Sequence, residues 1–98
     1  MTLTLTFEWD PVKAEENERK HGVSFEEART VFGDAYALHL YDGEHSWNED
    51  RFIILGRSER ERVLFVVYVE RTELTMRLIS ARRAKPRERR NYEEETIG

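Results

Sequence analysis

The chain has 98 residues, of which 37% are charged and 39% hydrophobic, and its formal net charge at pH 7 is −4. A chain of this length predicts one domain, residues 1–98, with a single core. The lack of cysteine excludes disulfides and thiolate metal sites and fits a reducing cytoplasm. The longest apolar run, residues 63–69, is too short to cross a bilayer, and residues 1–10 lack the basic start of a secretory signal. We therefore expect a cytoplasmic protein without membrane contact.

The N-terminal part of the chain predicts a strand followed by two helices. Residues 2–9 (TLTLTFEW) alternate polar and apolar side chains, as a half-buried strand does. Asp10 and Pro11 supply an N-cap and a first helical residue, and Gly22 provides a C-terminal stop. Ser24 begins a capping box and therefore a second helix.

The rest of the chain predicts four strands and one more helix. The strands are expected at residues 36–42, 51–58, 62–70 and 74–82. Pro86 begins a final helix of about two turns. The order β-α-α-β-β-β-β-α predicts an α+β fold with two helices packed on one face of a mostly antiparallel sheet, plus a short C-terminal helix.

Side-chain alternation predicts which sheet face the helices leave open. In the strand at 74–82 the even positions are the more apolar ones, so Arg77 should project from the open face. In the strand at 62–70 the odd positions resemble a core, which predicts that Tyr68 lies on the same open face. Both predictions depend on an unbroken register, since a slip of one residue inverts the two faces.

Positive charge is concentrated near the C-terminus. Residues 82–90 (RRAKPRERR) carry six Lys or Arg and one Glu, a net charge of +5; the remaining ten Lys or Arg and nineteen Asp or Glu give −9. The final helix has arginines early and glutamates late, which opposes the helix dipole. Two explanations stay open: a solvated, frayed tail, or a basic cluster that binds a polyanion beside Arg82. Tyr92 is the candidate for docking this helix.

Three stretches carry a resemblance to a known family: FEWDPVKAEENERKHGVSFEEA (7–28), HSWNEDRFIILGRS (45–58) and RLISARRAKPRERRNYEE (77–94). In these motifs the chain resembles the BrnT toxins of bacterial type II toxin–antitoxin systems. The resemblance implies a RelE-like fold and a ribonuclease, without a cofactor, that inhibits translation. It also implies neutralisation by a BrnA-like ribbon-helix-helix antitoxin, a toxin homodimer in that complex, and contact with operator DNA only through the antitoxin.

The reaction that this resemblance implies sets the candidate catalytic residues. A metal-independent ribonuclease must remove the proton of a 2′-hydroxyl, stabilise negative charge on the phosphate and protonate the leaving 5′-oxygen. Arginine suits the phosphate because its planar fork donates two hydrogen bonds and stays charged. We predict Arg77 as the first phosphate contact, then Arg51 and Arg82. For each of these, the structural alternative is a surface ion pair.

Proton transfer requires a side chain that exchanges protons near neutral pH. His45 is the first candidate and Glu49 the second. The structural alternative for His45 is a solvated loop histidine. His39 and the nearby acidic residues match no closed metal-binding motif, so we expect no metal site.

RNA binding is predicted from aromatic and basic residues. Trp47 and Tyr68 could stack on bases, and Arg83, Lys85 and Arg87 could bind phosphates. Trp47 suits an antitoxin contact equally well, because tryptophan is enriched at interface centres. An antitoxin that covers the basic surface should use an acidic or aromatic segment. The alternative function is a non-catalytic α+β module that binds RNA or protein without cleaving it.

Overall fold

The computed structural model describes residues 4–97, so residues 2 and 3 of the first predicted strand lie outside the described part. The elements are β1 (Thr6–Glu8), α1 (Pro11–His21), α2 (Phe25–Ala28), a 3₁₀ turn (Arg29–Gly33), β2 (Leu38–Tyr41), a second 3₁₀ turn (Gly43–His45), β3 (Arg51–Arg57), β4 (Val63–Thr72), β5 (Thr75–Arg83) and α3 (Pro86–Ile97). The predicted order of strands and helices is confirmed. No helix within these residues has the length and hydrophobicity needed to cross a membrane.

The five strands form one sheet in the order β1-β5-β4-β3-β2. Only the β1–β5 pair is parallel, which confirms a mostly antiparallel sheet. β1 and β2 are therefore the two edges. β4 is the central strand and pairs along its length with both β3 and β5.

Local sequence signals determine where α1 begins and ends. The Asp10 carboxylate accepts the N–H of Val12 at 2.9 Å, and Gly22 ends the helix with φ at 69°. The buried Asn17 amide then fastens α1 to the sheet. It donates to the carbonyls of Val23 at 3.0 Å and Ala81 at 2.8 Å, and accepts the N–H of Ala81 at 3.1 Å.

The main core lies between the helices and one face of the sheet, which we call the helix face. Its buried residues are Val23, Phe25, Ala28, Val31, Ile54, Leu64, Val66, Tyr68, Met76, Leu78 and Ala81. Gly56 lets the first 3₁₀ turn, Arg29–Gly33, approach this face closely. A Cβ there would lie 2.9 Å from the side chains of Val31 and Ala37.

The predicted orientation of β4 is wrong. Its even residues, including Tyr68, face the helices, and Tyr68 is only 5% exposed between Phe32 and Phe52. Alternation could not decide the face, because residues 63–69 are all apolar and the central strand is covered on both sides at one end. The prediction for Arg77 is confirmed. It pairs with Val69, and because its neighbours Met76 and Leu78 lie in the core on the helix face, Arg77 projects from the opposite face.

α3 packs against part of the other face, which we call the open face. Tyr92 is buried against Leu55 and Val63, and its hydroxyl donates to Asp34 Oδ2 at 2.6 Å. The helix has 12 residues, about three turns, rather than the predicted two. The frayed-tail explanation is therefore wrong, and Tyr92 is confirmed as the docking residue. Tertiary packing stabilises a helix whose own charges oppose its dipole.

A buried ion pair fastens the helix layer to the β3–β4 turn. The Glu27 side chain, 3% exposed, accepts hydrogen bonds from Ser58 Oγ at 2.7 Å and Arg62 Nε at 2.9 Å. Arg62 Nη2 also contacts the second Glu27 oxygen and donates to the Gly22 carbonyl at 3.1 Å. The bond from Arg62 lowers the pKa of Glu27, although burial opposes the shift.

We expect Glu27→Gln to lower the free energy of unfolding by about 3 kcal/mol at pH 7, because it leaves the Arg62 charge without its counterion. The folded pKa of Glu27 lies below its unfolded value, so this contribution is present above about pH 4.5. It is lost as the pH falls through the folded pKa, and the gap between parent and variant should narrow. Urea denaturation at several pH values measures it.

Glu26→Gln is the matched control for that variant. Glu26 pairs with Arg29 on the protein surface, where both side chains are at least half exposed. Its loss should change the free energy of unfolding by less than about 0.5 kcal/mol. Equal effects of the two substitutions would show that the buried pair has no special role.

We expect Tyr92→Phe to cost about 1–2 kcal/mol, since it removes the hydrogen bond to Asp34 and keeps the ring. Tyr92→Ala should cost about 3–5 kcal/mol and speed amide exchange throughout α3. Tyr36→Phe, at an exposed tyrosine, is the control and should leave both measurements unchanged. Unchanged exchange in α3 after Tyr92→Ala would show that another contact docks the helix.

Candidate active site

A depression of about 430 Å³ occupies the part of the open face that α3 leaves uncovered. It is lined by Asp42, Glu44, His45, Arg51, Ile53, Phe65, Val67, Ser80 and Arg82. Three of the five predicted catalytic residues therefore meet there: His45, Arg51 and Arg82. The other two, Arg77 and Glu49, are not part of its lining.

A single hydroxyl closes the loop between β2 and β3. The N–H of Asp42 donates to the Arg51 carbonyl at 2.8 Å, which begins the pairing of the two strands. Ser46 Oγ takes the place of the reciprocal bond: it donates to the Asp42 carbonyl at 2.5 Å and accepts the N–H of Arg51 at 2.9 Å. This arrangement holds His45 and Arg51 at the same rim of the depression.

Asp42 orients the His45 ring. Both carboxylate oxygens lie within hydrogen-bond distance of His45 Nδ1, at 3.0 and 3.1 Å. The Asp42 side chain is 13% exposed, whereas that of His45 is 62% exposed. Because Nδ1–H donates to the carboxylate, Nε2 is the nitrogen left to accept a proton. Sequence reasoning did not assign this role to Asp42; the Asp-x-x-His spacing just after a strand was the available signal.

Arg82 is held in place by two neighbours. Its guanidinium donates from Nη1 and Nη2 to the two oxygens of Glu88, at 2.8 and 2.9 Å. It also lies 4.0 Å from the centre of the Phe65 ring. The hydrogen bond from Arg82 lowers the pKa of Glu88 despite partial burial. Arg82 therefore forms the ion pair that was the structural alternative to a catalytic role, but it also lines the depression.

Arg51 and Arg77 occupy different parts of the open face. Arg51 on β3 and Arg77 on β5 both pair with Val69 on the strand between them, β4, so about 10 Å separates their backbones. Arg77 Nη1 lies 3.8 Å from a carboxylate oxygen of Glu8. The Arg51 guanidinium forms no ion pair with any residue in the described part of the chain. Arg51 is therefore the arginine most available to a phosphate in the depression.

The predicted RNA-binding residues do not share one surface. Trp47 is 86% exposed in the loop beside the depression. Tyr68 is buried in the core, so its ring faces cannot stack on a base. Arg83 lines a separate depression beside α3, and Lys85 and Arg87 are exposed near the start of that helix. Among residues 4–97, no three His, Asp or Glu side chains cluster closely enough to hold a metal ion.

Comparisons with known proteins agree on the family and the fold. Residues 9–88 match the family described as the ribonuclease toxin BrnT of type II toxin–antitoxin systems. The fold is similar to the 1.1 Å crystal structure of the Brucella abortus ribonuclease toxin BrnT, with a TM-score of 0.62 at 20% identity. That alignment covers 86% of this chain and 99% of the Brucella chain. No curated protein matches the sequence.

The family match covers most of the chain and includes Asp42, His45, Arg51 and Arg82, which line the depression. The chain therefore belongs to the BrnT family of ribonuclease toxins of type II toxin–antitoxin systems.

Proposed function

We propose that this protein is a metal-independent endoribonuclease that inhibits translation by cleaving RNA in the depression on its open face. The observation that carries the proposal is the Asp42–His45 pair, which faces the same depression as two arginines. An oriented imidazole and fixed cations are the groups that cleavage of a phosphodiester by its own 2′-hydroxyl requires.

In the proposed reaction, His45 Nε2 removes the proton of the 2′-hydroxyl. The 2′-oxygen then forms a bond to the adjacent phosphorus, and the bond from phosphorus to the 5′-oxygen breaks. Asp42 stabilises the imidazolium that forms, as a carboxylate does for an oriented histidine. Arg51 and Arg82 donate to the non-bridging oxygens as charge develops there. The 5′-oxygen takes a proton from water as it leaves, and the hydroxide that forms takes the proton of the His45 imidazolium, which restores the neutral base. The products are a 2′,3′-cyclic phosphate and a 5′-hydroxyl.

Arg77 and Glu49 have secondary roles in this proposal. Arg77 binds a phosphate next to the reacting one, because it lies about two strand spacings from Arg51 on the same face. Trp47 stacks on a neighbouring base from the adjacent loop. Glu49 lies in the same loop and is a second candidate for proton transfer, while Arg83, Lys85 and Arg87 bind more distant phosphates.

The family description implies an antitoxin and an RNA substrate. We propose a BrnA-like ribbon-helix-helix antitoxin, which contacts operator DNA itself and holds the toxin as a homodimer in the cytoplasm. A neighbouring reading frame for such a protein would support this proposal before any assay. A non-catalytic binding module remains the competing function, and it predicts binding without cleavage.

The activity is tested by incubating the purified protein with end-labelled RNA in EDTA, or in a translation extract if cleavage requires the ribosome. We expect fragments that end in 2′,3′-cyclic phosphate. His45→Ala and Arg51→Ala should each reduce cleavage by about 10²-fold or more, because each removes a group that acts in the transition state. Arg77→Ala should cause a smaller loss, mainly in binding.

Arg19→Ala is the matched control, since Arg19 is an exposed cation on α1 and does not line the depression. It should cleave like the parent, and circular dichroism should show all variants folded. A parent that binds RNA but cleaves none in either assay would favour the binding module. Undiminished cleavage by His45→Ala would exclude that residue as the base.

Asp42→Asn tests the positioning of His45 separately from its chemistry. The amide cannot stabilise a charged imidazole, so we expect kcat to fall by at least about tenfold while KM for RNA changes little. Equal changes in KM and kcat, or no change in either, would indicate that Asp42 only supports the loop.

A further inference from the structure

The outer edge of β2 is unpaired in the described structure. β2 pairs with β3 on one side only and is the last strand of the sheet. The bond from Asp42 N–H to the Arg51 carbonyl fixes the alternation of the antiparallel ladder. By that alternation Leu38 and Leu40 bond to β3, whereas the N–H and C=O groups of His39 and Tyr41 point away from the sheet. Two donors and two acceptors are thus available to another strand.

Large exposed apolar side chains lie on β2 and in the two segments that flank it. Tyr36, Leu40, Tyr41 and Trp47 are 64%, 49%, 58% and 86% exposed. Within residues 4–95, whose side-chain exposure the structure describes, the other exposed large hydrophobic residues are Val12 at 64% and Leu74 at 36%. Exposed apolar groups beside free backbone donors favour strand addition, and β2 carries no lysine, proline or bulge to prevent it.

The charge of residues 30–50, which include β2, indicates what kind of partner can bind at the β2 edge. Residues 30–50 contain no Lys or Arg; their acidic residues are Asp34, Asp42, Glu44, Glu49 and Asp50. Asp50 lies at this edge, where it accepts a hydrogen bond from the Tyr41 hydroxyl at 3.0 Å, and neither Asp50 nor Glu49 lines the depression proposed for RNA. Their negative charge disfavours RNA along the edge itself. It also disfavours a second copy of the chain, because a two-fold pairing of β2 would bring the same carboxylates together.

We propose that β2 binds an extended, positively charged segment of a partner protein as a sixth strand of the sheet. Backbone hydrogen bonds supply affinity, exposed Leu40 and Tyr41 supply apolar contact, and the acidic residues select a cationic sequence. This inference goes beyond the proposed ribonuclease activity and does not depend on it. The partner surface here differs from the basic surface that sequence reasoning assigned to an acidic or aromatic segment.

The experiment uses a short blocked peptide of alternating lysine and valine, with a glutamate–valine peptide of the same length for comparison. Binding is followed by nitrogen-15 NMR of the full chain. We expect the lysine peptide to perturb the amides of His39 and Tyr41 and the Trp47 indole, and to bind at least about tenfold more tightly than the glutamate peptide.

His39→Pro removes one outward N–H without removing a β2–β3 bond, so it should weaken binding of the lysine peptide by about tenfold. His39→Val is its matched control, since it loses the same imidazole but keeps the N–H, and should bind like the parent. If the proline variant does not fold, Leu40→Lys replaces it: an added cation beside the edge should weaken lysine-peptide binding by a similar factor.

Equal affinity for both peptides, perturbations that map to β1 or α3, or identical binding by His39→Pro and His39→Val would each overturn the proposal. So would shifts of the His39 and Tyr41 amides that depend on protein concentration alone, which would indicate a second copy, or shifts of these two amides by an RNA oligonucleotide as large as those caused by the lysine peptide. The assay measures no cleavage, and His45→Ala should bind the peptide like the parent. A failure to bind the lysine peptide can therefore be distinguished from a failure to cleave RNA.

Discussion

The buried Glu27–Arg62 pair is the interaction on which the arrangement of both layers depends. Glu27 belongs to α2, whereas Arg62 and Ser58 belong to the β3–β4 turn, and Arg62 also reaches the carbonyl that ends α1. A carboxylate this deeply buried is tolerated only with such partners. The pair therefore ties α2 and the end of α1 to the β3–β4 turn, next to the core on the helix face.

The candidate site exists because α3 covers only part of the second face of the sheet. α3 covers only one end of it, docked by Tyr92 on Asp34, and the uncovered end becomes the depression with His45 and Arg51. Glu88 connects the two regions. It accepts hydrogen bonds from the backbone N–H of Lys85, just before α3, and from Nη1 and Nη2 of Arg82. The helix whose Tyr92 packs against β3 and β4 thus also positions a cation of the candidate site.

Features set by neighbouring residues could be predicted from the sequence, and features set by distant contacts could not. Asp10 and Gly22 bound α1 as expected, because caps act on their own helix. The prediction that Tyr68 lies on the open face was wrong, because a central strand with apolar residues on both faces shows no polar–apolar alternation. The docking partner of Tyr92 is Asp34, 58 positions earlier, and no local pattern identifies it. At the candidate site, the residue types His and Arg were foreseeable, but the orienting carboxylate of Asp42 required the loop geometry.

The pairing of Arg82 with Glu88 also affects how RNA binding depends on ionic strength. An arginine already neutralised by a carboxylate has few counterions to release when a phosphate arrives, and the rest of the chain is acidic. Arg51 is then the main source of uncompensated charge in the depression. The phosphate in the depression should consequently contribute little to the salt dependence of RNA association, which arises instead from the phosphates bound by the exposed basic residues around the start of α3. Discrimination among RNAs within the depression then comes from the shape and chemistry of the bound nucleotide.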